Sequence, residues 1–133
     1  MPNKILVVDD EPDVLNLAKL VLEGAKLSVI TASNGKEALM KAEDEMPDLI
    51  LLDIVMPGKS GLEVCKILKS QPQTRHIPVA IFTVLDRDVD RMLSVEAGAD
   101  DFLPKPLKPE DLLLFVKRVK AHLAKAQSSQ QLK

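Results

Sequence analysis

The stretch Leu49-Ile50-Leu51-Leu52-Asp53 constrains the fold more than any other part of the chain. Four consecutive branched apolar residues run into a carboxylate, and Pro57-Gly58 breaks the chain soon after. An apolar run that short predicts a strand buried on both faces, as in a parallel sheet covered by helices. Asp53 then falls at the carboxyl end of the strand, where open α/β sheets place their ligands. An isolated aspartate there more often just begins a turn. What tips the balance is that other strand-like segments of the chain end in equally polar residues.

Lys4–Val8 reads as a second buried strand, ending in Asp9-Asp10-Glu11, and Pro12 suits the first turn of a helix. Val14, Leu15, Ala18, Val21, Leu22 and Ala25 then recur at helical spacing. Leu27–Ala32 alternates, as a strand nearer a sheet edge does. Asn34 with Glu37, and Ser60 with Glu63, have the spacing of capping boxes. Between them lies a helix with the face Ala38, Leu39, Ala42 and Met46, stopped by Pro47; after Ser60 a third helix turns Leu62, Cys65 and Leu68 inward.

Gln71–His76 is a polar connection, Val79–Phe82 a fourth buried strand ending at Thr83, and Asp86–Glu96 a weaker helix closed by Gly98. Asp101–Leu103 is a short fifth strand before Pro104-Lys105-Pro106. Pro109 opens a last helix with the stripe Leu112, Phe115 or Val116, Val119 and Leu123, and residues 125–133 form a polar tail or the start of a linker. Five strands alternating with helices predict one flavodoxin-like, doubly wound α/β domain over residues 3–124. Its parallel sheet has the order 2-1-3-4-5 and helices on both faces.

Composition removes several function classes. A net charge of −2, from 18 basic and 20 acidic residues, gives no global case for nucleic acid or anionic lipid. Without Trp or Tyr, and with three Phe, the chain has no stacking platform for bases. The single Cys65 excludes an internal disulfide and suits a reducing cytoplasm; it is assigned to the core, and the scattered methionines mostly to the core or to termini. No apolar run approaches the roughly 18 residues of a spanning helix. His76 lacks partners at ligand spacing and reads as a loop residue, and Lys117, Arg118, Lys120 and Lys125 read as a solvated helix face.

The strand ends carry Asp9 and Asp10, Asp53, Thr83 and Lys105. In the predicted strand order these meet at the switch point between the first and third strands. Three carboxylates there need a compensating cation, and a hard divalent ion such as Mg²⁺, or Mn²⁺ in its place, meets that need. The Thr83 hydroxyl and Lys105 ammonium suit the oxygens of a phosphoryl group, and a carboxylate beside them is a credible phosphoryl acceptor.

With Leu-Leu-Asp53-Ile-Val-Met-Pro57-Gly58, Gly61-Leu62-Glu63, Phe82-Thr83 and Gly98-Ala99-Asp100-Asp101-Phe102-Leu103-Pro104-Lys105-Pro106 in place, the chain resembles a response-regulator receiver domain of two-component signalling over residues 3–124. The resemblance implies that Asp53 takes a phosphoryl group from a phosphohistidine on a sensor histidine kinase or phosphotransfer protein. It implies that Asp10, Asp53 and the Val55 backbone carbonyl hold Mg²⁺, with Asp9 acting through metal-bound water. Thr83 and Lys105 would hold phosphoryl oxygens, and Lys105–Pro106 would be a cis peptide. Phe102 would be a switch aromatic, turning inward as Thr83 moves and altering the surface of the fourth helix, fifth strand and last helix for an unknown partner or output domain. Such a domain drives its own phosphorylation and dephosphorylation but is not a turnover enzyme. Direct nucleic-acid or membrane binding by this segment is not expected.

Departures from the family pattern sharpen the expectations. Val55 and Leu85 flank the path of an attacking water and offer it no polar group, which implies slow self-dephosphorylation. Val84 adds bulk where the family has alanine or glycine, and narrows access to Asp53. Phe115 stands where winged-helix regulators of this type carry arginine. That weakens the case for their salt-bridged, phosphorylation-dependent dimer, and an exposed Phe115 would mark a different partner surface. The competing readings are a phosphate-independent interaction domain on the same fold and a flavin- or nucleotide-binding or hydrolytic enzyme. The chain retains every acidic and basic site residue, against the first. It lacks a Gly-rich phosphate loop or a Ser/His/Asp set, against the second.

Overall fold

The computed structural model describes residues 3–84, 88–105 and 114–124. Strands β1 (Lys4–Val8), β2 (Ser28–Ala32), β3 (Leu49–Leu52), β4 (Val79–Thr83) and β5 (Asp101–Pro104) form one sheet in the order β2-β1-β3-β4-β5. Every neighbouring pair is parallel. Helices α1 (Pro12–Gly24), α2 (Gly35–Glu45), α3 (Gly61–Ser70) and α4 (Asp88–Glu96) cross between strands, and residues 114–124 form α5. The expected strand order is the observed one. β2 and β5 are the edges, and the half-exposed alternation of β2 follows from that position.

Both faces of the sheet are covered, which is why the strands read as unbroken apolar runs. Leu6, Val8, Ile50, Leu52 and Ile81 pack with Ala38 and Ala42 of α2 and with Val64, Cys65 and Leu68 of α3. Ile5, Val7, Leu49, Leu51, Ala80 and Phe82 face the other way, against Ala18 and Leu22 of α1 and Phe115, Val119 and Leu123 of α5. Alternate residues of one strand thus serve two cores.

Helix boundaries follow local chemistry. Asn34 Oδ1 accepts the Glu37 N–H at 2.8 Å, and Glu37 reaches back to the Ser33 N–H at 3.1 Å, one residue beyond the expected cap. Ser60 Oγ accepts from the Glu63 N–H at 3.3 Å. α2 ends on Met46 in a left-handed conformation (φ 47°), immediately before Pro47. α4 is described from Asp88; residues 85–87, with the expected start at Asp86 and with Leu85, lie outside the described residues, as do Leu112, Lys125 and the tail. The Gln71–His76 connection is less polar in effect than its composition suggests, because Thr74 is buried and donates its hydroxyl to the Leu68 carbonyl at 2.8 Å.

Phe115 does not mark an exposed surface. It is 5% exposed and stacks on Phe82, with ring centroids 5.3 Å apart and planes at 25°. Of the two residues that periodicity offered for the inner stripe, it takes the core place, and Val116 is half-buried beside it. Among the described residues no helix is long and apolar enough to cross a membrane.

Candidate functional site

Three strand ends build the site. The Asp9 N–H bonds the Ala32 carbonyl at 3.1 Å and the Asp53 N–H bonds the Val8 carbonyl at 3.1 Å, so the sheet's own ladder fixes both residues side by side. Asp9 and Asp53 are buried, and Asp10 is exposed at the rim. One carboxylate oxygen from each of the three lies within 4.8 Å of the others. Asp9 Oδ1 also accepts the Glu11 N–H at 3.0 Å, which ties the acidic turn to the start of α1.

Lys105 enters from the end of β5, where its N–H bonds the Thr83 carbonyl at 2.9 Å. Its ammonium pairs with Asp9 Oδ2 and lies 3.2 Å from Asp53 Oδ2. Asp9 Oδ2 is fully buried and makes no directional hydrogen bond, so this ion pair is its compensation. Burial works against the charge on Lys105, but the close pairing with Asp9 and the charge of Asp53 outweigh it and hold the ammonium above the usual lysine range. Thr83 is buried at the end of β4. The five residues expected from the sequence are thus Asp9, Asp10, Asp53 and Lys105 in one hollow, with Thr83 joined to Lys105 through the backbone.

The donor set suits a hard divalent cation. Three carboxylates in mutual reach, one with an oxygen lacking a directional hydrogen bond, form an oxygen-only site. Val55 and Val84 follow Asp53 and Thr83 closely in sequence and are both more than half exposed. The cis bond expected at Lys105–Pro106 involves Pro106, which lies outside the described residues.

Gly61 contributes in a way its place in the sequence motif did not reveal. Its N–H bonds the Ile54 carbonyl at 2.8 Å, and a Cβ there would stand 1.8 Å from the Asp53 carbonyl oxygen. Only a residue without a side chain lets α3 start against the backbone that carries Asp53.

The whole chain agrees with this geometry. The family model described as the response regulator receiver domain matches residues 5–117. The chain belongs to the response-regulator receiver family. It is 45% identical over 119 residues to the alkaline phosphatase synthesis transcriptional regulatory protein PhoP of Bacillus subtilis, covering 90% of this chain and 49% of that protein. It is 45% identical over 117 residues to the response regulator PleD of Caulobacter vibrioides, covering 88% of this chain and 25% of that one. The receiver domain thus spans about half the length of the first relative and a quarter of the second. A CheY-like receiver domain protein of Methanospirillum hungatei superposes with a TM-score of 0.84 at 29% identity, over 97% of this chain and 99% of that one. The receiver is a phosphoryl-accepting signalling switch, and receivers work with histidine kinases and output domains.

Three residues beside Phe102 escaped the sequence reading. His122 Nε2 lies 2.6 Å from Asp101 Oδ2. Arg118, expected on a solvated face, instead donates to the Phe102 carbonyl at 3.3 Å and lies 3.7 Å from Asp101 Oδ2. Arg91 of α4 lies over the Phe102 ring, 4.6 Å from its centroid. Lys117 and Lys120 are exposed as expected, His76 is exposed, and Cys65 is buried with its thiol 3.5 Å from the Ala97 carbonyl. The i,i+4 spacing of Arg118 and His122 was the one available signal, since it places both on one flank of α5.

Proposed function

We propose that Asp53 is the phosphoryl acceptor of this receiver and that the reaction depends on Mg²⁺ held by Asp10, Asp53 and the Val55 carbonyl, with Asp9 acting through bound water. The observation that carries the reading is the placement of Asp53 Oδ2 3.2 Å from the Lys105 ammonium within a three-carboxylate cluster. A carboxylate oxygen of Asp53 attacks the phosphorus of a phosphohistidine; the new O–P bond replaces the N–P bond, and the electron pair returns to the imidazole nitrogen. Lys105 exchanges part of its contact with Asp53 for a phosphoryl oxygen, and the Thr83 hydroxyl donates to another. When bound, Mg²⁺ neutralises charge on the carboxylates and on the phosphoryl oxygens.

The donor is a sensor histidine kinase or a histidine phosphotransfer protein, and the output is a change in the α4–β5–α5 surface read by a partner or output domain. The domain promotes its own phosphorylation and hydrolysis without turnover of an external product. Val55 and Leu85 leave the attacking water without an orienting group, so the phosphorylated state is long-lived. Replacing Val55 with Asn and Leu85 with Glu shortens its half-life, and an unchanged half-life refutes that part of the reading. The main test is incubation with acetyl phosphate: intact mass increases by one phosphoryl group with Mg²⁺ and stays unchanged with chelator or in Asp53→Asn. Metal-independent uptake contradicts the proposal.

A further inference from the structure

Phe102 is held from three elements while it is only 6% exposed and packed into the core on the α2–α3 side. Phe102 lies on the edge strand β5; its N–H donates to Asp101 Oδ1 of the same strand at 2.8 Å, and its carbonyl accepts from Arg118 Nη2 of α5 at 3.3 Å. Asp101 is itself anchored from α5, by His122 at 2.6 Å and by the nearby Arg118. Arg91 closes over the ring from α4, in cation–π contact. The aromatic expected to turn inward on phosphorylation is therefore already inside.

We propose that Asp101, Arg118, His122 and Arg91 form a clamp that keeps Phe102 buried before phosphorylation and so pre-sets the receiver towards its phosphorylated arrangement. This rests on the function proposed above and on the switch role that the family resemblance implies for Phe102, which turns inward as Thr83 moves. The sign follows from linkage: whatever raises the fraction of competent molecules lowers the apparent dissociation constant of a phosphoryl mimic by the same factor. Arg118 and His122 are positioning residues that act through Asp101 and the Phe102 carbonyl. Arg91 acts on the ring directly.

The test uses the full chain labelled with 4-fluorophenylalanine and titrated with beryllofluoride at fixed Mg²⁺. The Phe102 resonance is assigned with Phe102→Leu. In the wild type, this resonance has little solvent isotope shift before beryllofluoride is added. In Arg118→Gln/His122→Gln, and in Arg91→Gln, the isotope shift grows and the beryllofluoride midpoint rises roughly 3- to 10-fold, the reciprocal of the lost competent fraction. His122→Gln alone, the mildest change, moves both readouts the same way if the double variant is misfolded by circular dichroism. A solvent-exposed Phe102 in the wild type, or equal midpoints in wild type and folded variants, overturns the clamp alone. No beryllofluoride binding by the wild type overturns the proposed function together with it.

Discussion

Asp53 and Lys105 lie 52 residues apart in sequence, yet their side chains meet at 3.2 Å between Oδ2 and Nζ, with the buried Asp9 on the same ammonium. One cation thereby compensates two carboxylates that the sheet forces together. Removing it leaves an uncompensated buried charge. Lys105→Met therefore lowers the unfolding free energy without divalent ion by about 3 kcal/mol, measured by urea denaturation. Mg²⁺ restores part of that loss, because the same carboxylates are then free of their competitor.

The proposed Mg²⁺ site links divalent ion to protein stability through the same hollow. Mg²⁺ at about 100 times its dissociation constant adds roughly 2.7 kcal/mol to the unfolding free energy. Asp10→Asn removes that increment while leaving the metal-free protein at least as stable, since it relieves repulsion in the cluster. Thermal melts with and without Mg²⁺ for both proteins give the comparison.

The glycines separate by what a methyl group would meet. Gly61→Ala drives Cβ into the Asp53 carbonyl and costs about 3 kcal/mol, the upper end of overpacking, because the obstacle is backbone. Gly24→Ala, inside α1 with nothing within 4 Å, stabilises by about 0.5–1 kcal/mol. Equal effects in denaturation curves contradict this ranking.

Acid sensitivity of the β5–α5 contact has a definite sign. Burial opposes ionisation of Asp101, but the Phe102 N–H, His122 and Arg118 outweigh it and hold its carboxyl below the usual range. A carboxyl depressed on folding contributes stability above its unfolded value, and loses it as pH falls through the folded one. Asp101→Asn therefore flattens the loss of stability between about pH 4 and lower values, read from melts across that range.

Burial raises the Cys65 thiol to about 11 and shields it from solvent. The native protein resists iodoacetamide at pH 8, and urea exposes the thiol to rapid alkylation. Fast alkylation of the folded chain contradicts the packing of α3 against the sheet.

Much of this architecture was legible because two strong signals coincide. Runs such as Leu49–Leu52 carry no polar interruption when both sheet faces are covered, and the polar residues that end them mark the ligand edge. Asn34 and Ser60 were readable because caps are local. Contacts made by α5 were not. Which flank of that helix meets β5 depends on how Phe115 seats on Phe82, and that choice turns Arg118 from a solvated residue into a donor to Phe102. Gly61 was visible as part of a motif, but its reason, a backbone oxygen within reach of any Cβ, exists only once β3 and α3 are packed.

The central claim is most directly tested by locating the phosphoryl group. After phosphorylation by acetyl phosphate with Mg²⁺, borohydride reduction converts a phosphorylated aspartate to homoserine, which peptide mass spectrometry maps to one position. The account predicts homoserine at residue 53 and none in the Asp53→Asn protein. Trapping at Asp9 or Asp10 instead, or undiminished trapping in that variant, would contradict it.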